Sequence, residues 1–337
     1  MSDSYIQSNL KKLDENFELP LRPQSLSDFL GQESIRERLS IYLGAAKIRQ
    51  EALGHALFHG PPGLGKTTLA NILAKNMGVN LVVTSGPMIE KAGDLAGILT
   101  NLKEKDILFI DEIHRLNKTV EEYLYPAMED FVLDLMIDSG PSARSVQVKL
   151  NKFTLVGATT SIGLISAPMR SRFHLNCRLD YYDHNTLELI LIRSSKILGL
   201  SIDQSAAQEI ARRSRGTPRI ANNLLKWIRD YAQMKNHQLV NEKIASEALE
   251  MLLIDHKGLD EMDIKILEII IEHYNGGPVG LNTLAVALGE NPMTVSEVYE
   301  PYLIMQGFLK RTPRGREATQ LAYKHIGRPT GQKNGDK

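Results

Sequence analysis

The sequence predicts an α/β domain with a parallel sheet and a phosphate-binding loop, then a small all-helical domain, then a winged-helix domain. A glycine-rich motif, "GPPGLGKT" at residues 60–67, lies between an apolar segment and a helical one. Apolar and helical segments alternate up to about Asp183, after which the periodicity is helical only. The folded part ends in a basic stretch, "GFLKRTPRGREAT", which is typical of a β-ribbon after three helices.

The α/β prediction rests on four apolar segments that read as strands. They are "HALFHG" at 55–60, "VNLVVTSG" at 79–86, "DILFIDE" at 106–112 and "FTLVGATT" at 153–160. Strands that are apolar throughout and alternate with helices indicate a parallel sheet covered on both faces. We expect a flexible arm over residues 1–18 and the α/β domain over 19–183.

The rest of the chain divides into two further predicted domains. Four helical segments, within 185–200, 203–216, 218–235 and 241–254, predict a small helical domain over 184–254. Three more, "DEMDIKILEIIIEHY", "LNTLAVALG" and "MTVSEVYEPYLIMQG", precede the basic ribbon and predict a winged-helix domain over 255–327. The remaining residues, 328–337, are predicted to be a disordered tail.

The charge balance, the cysteine count and the apolar runs limit which partners and which cellular location we expect for the protein. The 337 residues include 40 basic and 40 acidic ones, so any nucleic acid must be bound by a local patch. The single cysteine, Cys177, excludes an intramolecular disulfide framework and fits a reducing cytosol. The chain shows no cationic-then-apolar N-terminal signal and no apolar run long enough to span a bilayer. We expect a cytoplasmic protein that does not contact membranes.

The glycine-rich motif predicts an ATP site. Glycines such as Gly63 and Gly65 let backbone N–H groups converge on phosphate oxygens, Lys66 would reach the β- and γ-phosphates, and Thr67 would ligate Mg²⁺. A glycine-rich turn without function is the alternative, and the full match between a strand and a helix argues against it.

Two strand ends should meet the phosphate-binding loop, because parallel strands end at one edge of the sheet. "ILFIDEIH" ends in Asp111, which would hold the metal, and Glu112, which would polarise the attacking water. "LVGATT" ends in Thr160, a candidate sensor of the γ-phosphate or the water, although threonine at a strand end is common. His114 is expected to be a supporting or surface residue.

Three arginines are candidates for phosphate contacts. Arg170 and Arg172 in "APMRSRF" are either solvated surface residues or arginine fingers that complete a neighbouring subunit's site. Arg219 lies in the first turn of a helix, where a cation opposes the helix dipole. It either reaches back to phosphate or pairs with an acid on the surface.

The basic ribbon predicts a DNA contact. Residues 254–309 contain 2 basic and 9 acidic residues, whereas 310–337 contain 8 basic and 2 acidic ones, and such sorting favours a polar interaction face. Arg311 and Arg316 flank the turn Pro313-Arg314-Gly315 and are expected to project together toward a phosphate backbone. The alternative is a solvated cationic turn.

A family resemblance rests on several of these motifs together. "GPPGLGKTTLANILA", "LFIDEIHRL", "LYPAMEDF", "LVGATT", "MRSRF" and "RGTPRIANNLL" resemble AAA+ ATPases. With "LRPQSLSDFLGQ" and "PYLIMQGFLKRTPRGREAT", the chain is similar to the RuvB family of Holliday-junction branch-migration motors from about Leu19 to Gly327. The resemblance implies a homo-hexameric ATP hydrolase that pulls duplex DNA at Holliday junctions in recombination and repair. It also implies two partners, the junction-binding protein RuvA and the resolvase RuvC.

The resemblance also assigns roles to individual residues. It implies that Arg172 is the arginine finger, that Arg219 is the second sensor, and that Arg311 and Arg316 contact DNA. It implies that Val146 and Val148, in the predicted hairpin "MIDSGPSARSVQVKL", dock RuvA. The residues that it implies for the nucleotide are Leu21 and Arg22 at the adenine end, Gly63, Lys66, Thr67 and Thr68 at the phosphates and Mg²⁺, and Glu129, Asp130, Phe131 and Tyr182 nearby.

One departure and two rival functions remain. Pro292 lies where the family commonly has another arginine that touches DNA, so that contact is expected to be missing or moved. A clamp-loader subunit would lack the winged third domain. A nucleotide-gated transcription regulator would need a base-reading third helix, but "TVSEVYEPYLIMQG" contains no Arg or Lys.

Overall fold

The structure, a computed structural model, describes residues 19–136 and 145–329. The chain forms two compact units. The first contains the described residues up to Gly199 together with Gly216–Ile220, and the second contains Leu200–Arg215 and the described residues from Ala221 onward. No helix in the described ranges is long and apolar enough to cross a bilayer.

The first unit is built on a five-stranded parallel sheet with the strand order β2-β3-β6-β1-β7. Its strands and a separate two-stranded pair are β1 Ala56–His59, β2 Leu81–Ser85, β3 Ile107–Asp111, β4 Val132–Met136, β5 Ser145–Lys149, β6 Thr154–Thr159 and β7 Leu175–Arg178. The helices of this unit are α1 Glu33–Arg49, α2 Lys66–Met77, α3 Ala92–Thr100, α4 Lys118–Glu129, α5 Ala167–Ser171 and α6 His184–Ile197.

The four predicted strands are confirmed, and they include the three at the centre of the sheet. β6 is buried along its whole length, and β3 is buried up to its last residue. The side chains of Leu108, Ile110 and Leu155 pack with α3 and α4 in one hydrophobic core. The fifth strand, β7, was not predicted, because it buries only Cys177 and so carries no apolar run.

The predicted hairpin exists but begins earlier than expected. β4 and β5 pair antiparallel, with Leu133 opposite Val148 and Leu135 opposite Val146. Met136 is therefore the last residue of the first strand, whereas the sequence analysis placed the first strand from Met136 onward. The residues between the two strands, which include Gly140-Pro141, lie outside the described residues.

The residues predicted to form the helical domain contain four helices, of which α6 belongs to the first unit. After α6 come α7 Gln204–Arg213, α8 Pro218–Met234 and α9 Glu242–Glu250. Asp183, Asp203 and Asn241 cap α6, α7 and α9 by accepting bonds from backbone N–H groups three residues later. These caps stabilise the first turn of each helix, and all three helices start within one residue of the predicted segments.

The winged-helix part lies in the second unit, and its elements are α10 Glu261–Glu268, α11 Leu281–Leu288, α12 Pro292–Thr294, α13 Glu300–Met305, β8 Leu309–Thr312, β9 Gly315–Ala318 and α14 Gln320–Ile326. α10 continues as a π-helix over Ile269–His273, and a second π-helix, Val295–Tyr299, joins α12 to α13. Ile270, Val295 and Leu303 are fully buried in its core.

The last helix, α14, was not predicted. Thr319 caps it by accepting a bond from the backbone of Ala322, and Gly327 ends it in a left-handed conformation. Thr319 is the last residue of the predicted basic ribbon, so the ribbon ends at the cap of this short helix.

Candidate nucleotide site and wing

The glycine-rich loop joins β1 to α2, and all three of its glycines, Gly60, Gly63 and Gly65, have a positive φ. Gly63 and Gly65 have φ values of 78° and 103°. A Cβ atom at Gly63 would lie 2.7 Å from the methyl group of Thr217, and one at Gly65 would lie 2.9 Å from the ring of Phe29. Both neighbours are packing partners that the sequence analysis did not single out.

Lys66 is held over the loop. Its side chain is buried, and Nζ donates to the carbonyl oxygens of Gly60 at 2.8 Å and Pro61 at 2.9 Å. Burial lowers the pKa of Lys66, while the nearby charges of Glu112 and Asp111 oppose that shift. The ammonium group therefore lies between the loop carbonyls and the acids at the end of β3.

Glu112 begins the turn after β3 with a φ of 46°, a left-handed conformation that is uncommon outside glycine. Its Oε2 accepts a bond from the hydroxyl of Thr160 at 3.1 Å and lies 3.1 Å from Nδ1 of His114. The backbone N–H of Glu112 donates to Oδ1 of Asp111 at 3.0 Å. The structure thus brings three predicted residues, Asp111, Glu112 and Thr160, to one edge of the sheet.

His114 connects Glu112 to a threonine that the sequence analysis missed. Its Nδ1 lies 2.9 Å from Oγ1 of Thr159, which is fully buried and also accepts a bond from the backbone N–H of Ser161. His114 is thus a supporting residue, as expected. The signal available for Thr159 was its place at the end of the "LVGATT" strand, directly before Thr160.

Arg219 and Tyr182 approach the loop from other parts of the first unit. A Cβ at Gly63 would lie 3.1 Å from the Cβ of Arg219, and the charge of Arg219 contributes to lowering the pKa of Lys66. The hydroxyl of Tyr182 donates to the carbonyl of Leu64 at 3.2 Å, and its backbone N–H donates to Gly216 at 2.9 Å. Tyr182 therefore joins the loop to the segment that carries Arg219.

Two predicted nucleotide residues lie in the N-terminal segment, where Leu21 contacts α6 and Arg22 contacts Gln24. Leu21 is buried, and its carbonyl accepts a bond from Nη1 of Arg193 at 2.8 Å. The carbonyl of Arg22 accepts a bond from Gln24, which also contacts Lys75 of α2. Thr67 and Thr68 lie half-buried in the first turn of α2.

Arg172 and Glu129 form a second cluster. Nη2 of Arg172 lies 3.2 Å from Oε2 of Glu129, which ends α4. Asp130 follows as an exposed helix cap, and Phe131, with a φ of 55°, packs its ring edge-on against Phe153 at 5.9 Å. None of the hydrogen bonds, ion pairs or ring contacts described for these four predicted residues involves the glycine-rich loop.

The group of residues around Lys66 fits ATP with Mg²⁺. Within the described ranges, no set of three or more His, Cys, Asp and Glu side chains could hold a metal by itself. Thr67 and Asp111 would supply oxygen ligands, and Mg²⁺ in ATPase sites typically takes one or two protein ligands and completes its shell with phosphates and water. A site built around a nucleotide needs no larger set.

The wing differs from the predicted arrangement. Arg311 and Arg316 are directly opposite in the β8–β9 ladder, so their side chains start from the same face. Arg311 is exposed, but the buried guanidinium of Arg316 binds Glu300 of α13 through two contacts, Nε–Oε1 at 2.5 Å and Nη2–Oε2 at 3.1 Å. The two arginines therefore do not project together.

This ion pair predicts a structural role for Arg316. Arg316→Ala should lower the free energy of unfolding of the winged-helix part by about 3–5 kcal/mol, because Glu300 would be left buried without its partner. Urea unfolding followed by circular dichroism measures the loss. A double variant, Arg316→Met with Glu300→Met, should recover most of it, and an unchanged urea midpoint for Arg316→Ala would contradict the role.

Three apolar residues of the hairpin differ in exposure. Leu133 is fully buried, Val148 opposite it is half-buried, and Val146 is 42% exposed.

Pro292 occupies the first position of α12, where Asn291 caps the helix by accepting a bond from Met293 at 2.8 Å. Proline at this position is the ordinary choice for a helix start and provides no DNA contact by charge.

Three family models match almost the whole described chain. The RuvB P-loop domain matches residues 21–179, the RuvB AAA lid domain matches 182–255, and the RuvB C-terminal winged-helix domain matches 256–327. The chain belongs to the RuvB family. The predicted fold, an AAA+ P-loop domain followed by a helical lid and a winged helix, is confirmed for this RuvB-family chain.

Individual relatives agree with the family models. The chain is 66% identical to the Holliday junction branch migration complex subunit RuvB of Protochlamydia amoebophila, over 97% of this chain and 98% of that one. It is 58% identical to the RuvB subunit of Flavobacterium psychrophilum, over 97% of each. It superposes on the Thermotoga maritima RuvB branch migration motor with a TM-score of 0.84 at 52% identity, over 93% of this chain and 100% of that one.

Proposed function

We propose that this chain is the ATP-hydrolysing motor subunit that drives branch migration of Holliday junctions in recombination and repair. The observation that carries the proposal is the meeting of Lys66, Asp111, Glu112 and Arg219 around one phosphate-binding loop, in a chain that also contains a winged-helix part. The two rival functions, a clamp-loader subunit and a transcription regulator, are not favoured, because RuvB relatives match nearly the full length.

ATP would bind through the loop and its neighbours. The positive φ values of Gly63 and Gly65 would let backbone N–H groups of the loop converge on the phosphates, while Lys66 and Thr68 add side-chain contacts. Thr67 and Asp111 would hold Mg²⁺, which offsets charge on the phosphate oxygens. Leu21, Arg22 and Tyr182 would contact the rest of the nucleotide.

Hydrolysis would depend on Glu112 and Thr160. The Glu112 carboxylate orients and polarises the attacking water, and the Thr160 hydroxyl, 3.1 Å from it, holds that carboxylate in place. Phosphoryl transfer requires mainly positioning and charge stabilisation from the protein, and the loop, the acids and Arg219 supply both. Arg219 would also report whether the γ-phosphate is present.

Assembly would complete each site. In a homo-hexameric ring, Arg172 would reach the nucleotide of a neighbouring subunit, with Glu129, Asp130 and Phe131 beside it. Val146 and Val148 offer an apolar surface that a junction-binding protein such as RuvA would cover, and RuvC would join the larger complex. A cytoplasmic location fits a motor that works on the cell's own DNA.

DNA would be gripped through its phosphates by the wing. Lys310, Arg311 and Arg314 are exposed on or beside the turn between β8 and β9. Phosphate contacts repeat along any sequence, which a translocating motor requires. Because Pro292 replaces a basic residue and Arg316 is paired with Glu300, Arg311 is the main candidate for this contact.

Arg311→Ala should weaken duplex binding and flatten its salt dependence. Removing one phosphate contact is expected to reduce the slope of log K against log salt by about 1, without a change in sequence preference. Fluorescence anisotropy with a labelled duplex at several salt concentrations measures both quantities. Lys243→Ala, which removes a charge from an exposed position on α9, is the matched control. If Arg311→Ala and the control show equal affinity and equal slope, the wing is a solvated turn and does not contact DNA through Arg311.

The direct test of the proposed function is a branch-migration assay on a synthetic four-way junction. The chain should separate the junction into duplex products only with ATP, and faster when a junction-binding RuvA protein is added. ATP-independent separation, or none with RuvA present, would contradict the proposal.

A further inference from the structure

We propose that Tyr125, together with Glu129, is a positioning residue for the arginine finger Arg172. This inference rests on the proposed function, in which Arg172 acts on the nucleotide of a neighbouring subunit. Tyr125 lies on α4 and Arg172 directly follows α5, so the two are 47 positions apart in the sequence and meet only in the fold.

Three contacts hold the guanidinium of Arg172. Its Nη1 donates to the carbonyl of Pro168 at 2.7 Å, and its Nη2 donates to Oε2 of Glu129 at 3.2 Å. Its Cζ lies 4.3 Å from the centroid of the Tyr125 ring, a distance at which the ring face attracts a cation. The ring and the carboxylate together set both the plane and the direction of the guanidinium.

Tyr125 is itself tethered to both helices. Its hydroxyl donates to Oε1 of Glu121 at 2.9 Å and lies 3.2 Å from Oγ of Ser166. Ser166 also donates to Glu121 and caps α5 by accepting a bond from the backbone N–H of Met169. The hydroxyl of Tyr125 therefore joins α4 to the start of α5, and its ring holds the arginine at the end of α5.

The contacts with Pro168, Glu129 and Tyr125 leave some N–H donors of Arg172 available for a phosphate. Its side chain is 19% exposed, and the buried Nε atom has no hydrogen-bond partner in the structure. A ring face attracts the cation without consuming its N–H donors, and each terminal nitrogen has a second N–H beyond the contact described. A guanidinium seated in this way is oriented before it meets a phosphoryl group and can still donate to it.

Orientation before contact affects the rate more than the affinity. A finger that stabilises the transferring phosphoryl must be placed within a fraction of an ångström, and misplacement lowers the rate of the chemical step. ATP is bound by the loop around Lys66 on the other subunit, so loss of the contact between Tyr125 and Arg172 should leave ATP affinity unchanged.

The first experiment measures DNA-stimulated ATP hydrolysis by the full chain carrying Tyr125→Leu. We expect kcat to fall by about tenfold or more, with ATP affinity within about twofold of the parent. Tyr125→Phe keeps the ring and should retain most of the rate. Tyr123→Leu is the matched control, because Tyr123 packs on the same core from the same helix. An unchanged or raised kcat for Tyr125→Leu would overturn the inference.

Mixed rings separate positioning of the finger from general damage. Subunits with Tyr125→Leu and subunits with Lys66→Ala should together regain activity, because each supplies the side of the interface that the other lacks. Tyr125→Leu mixed with Arg172→Ala should regain none, because both defects lie on the same side. Should Tyr125→Leu prevent folding, Glu129→Gln, which removes one charge at a half-exposed position, is expected to show the same mixing pattern with a smaller loss.

The same mixtures distinguish failure of the inference from failure of the proposed function. No recovery between Lys66→Ala and Arg172→Ala subunits in confirmed mixed rings would overturn action on the neighbour, and the inference with it. Recovery in that mixture, combined with recovery between Tyr125→Leu and Arg172→Ala, would overturn the positioning role alone.

Discussion

Glu112→Gln is expected to bind ATP nearly as well as the parent chain and to hydrolyse it about 10²–10⁴ times more slowly. Glutamine preserves the size of the side chain and an oxygen that can accept the 3.1 Å bond from Thr160. It removes the negative charge and the ability to take a proton from the attacking water. Asp111 also opposes the lowering of the Lys66 pKa by burial, so Lys66 and the loop should keep their phosphate contacts and binding should persist.

Two measurements check this expectation. Titration with a fluorescent ATP analogue reports binding, and phosphate release under saturating ATP and duplex DNA reports turnover. Glu122→Gln, the same change at an exposed position on α4, is the control. Hydrolysis at the parental rate by Glu112→Gln would remove Glu112 from the catalytic role. A large loss of ATP binding would show instead that the charge of Glu112 contributes to ATP binding.

Arg172→Ala should reduce DNA-stimulated hydrolysis by about 10³–10⁵-fold, the range for an arginine that stabilises charge on a transferring phosphoryl group. The loss should appear in kcat, because Arg172 contacts Glu129 and Tyr125 in its own subunit and not the loop that binds ATP. If the finger acts on a neighbour, mixing Arg172→Ala subunits with Lys66→Ala subunits should restore part of the activity.

The mixing experiment needs proof that mixed rings form. Native mass spectrometry of subunits with different tags provides it. Arg170→Ala is the matched control, since Arg170 is an exposed arginine two residues earlier. Mixed rings without any recovery would argue that Arg172 acts within its own subunit. An equal loss of activity in Arg170→Ala would argue that the segment, and not the one guanidinium, is what matters.

The central strands and the loop were predictable because their signals are local. β1, β3 and β6 are continuous apolar runs, and the loop motif carries its own glycines, lysine and hydroxyl. Strand ends in a parallel sheet share one edge, so the meeting of Glu112 with Thr160 followed from topology alone. The helices after Asp183 were predicted from their helical periodicity, and the structure shows capping side chains such as Asp203 and Asn241 at their starts.

The elements that the sequence analysis missed are those stabilised by neighbours more than by their own composition. Among the described strands, β7 pairs with β1 alone, and it buries one side chain, Cys177. α14 is seven residues long, and its cap, Thr319, is the last residue of the stretch whose charges suggested a wing. The hairpin strand β4 follows directly after α4 and Phe131, where no glycine or proline marks the boundary.

Part of the candidate site also depended on distant contacts. Thr217 and Phe29 fill the spaces that Gly63 and Gly65 leave open, and Thr159 meets His114 across 45 positions of sequence. None of these residues belongs to a motif whose chemistry requires it. Their roles come from which side chains the packing brings together.

The sequence by itself determined which chemistry the chain could carry: a phosphate-binding loop, a pair of acids after a buried strand, and arginines at characteristic positions. The tertiary structure alone decided what each arginine touches. Arg316 lies against Glu300 in the core, Arg311 on the same face reaches solvent, and Arg172 rests on Tyr125. The physical reason is that a long flexible cation takes its partner from the surfaces that packing places around it, and its neighbours in the sequence do not specify those surfaces.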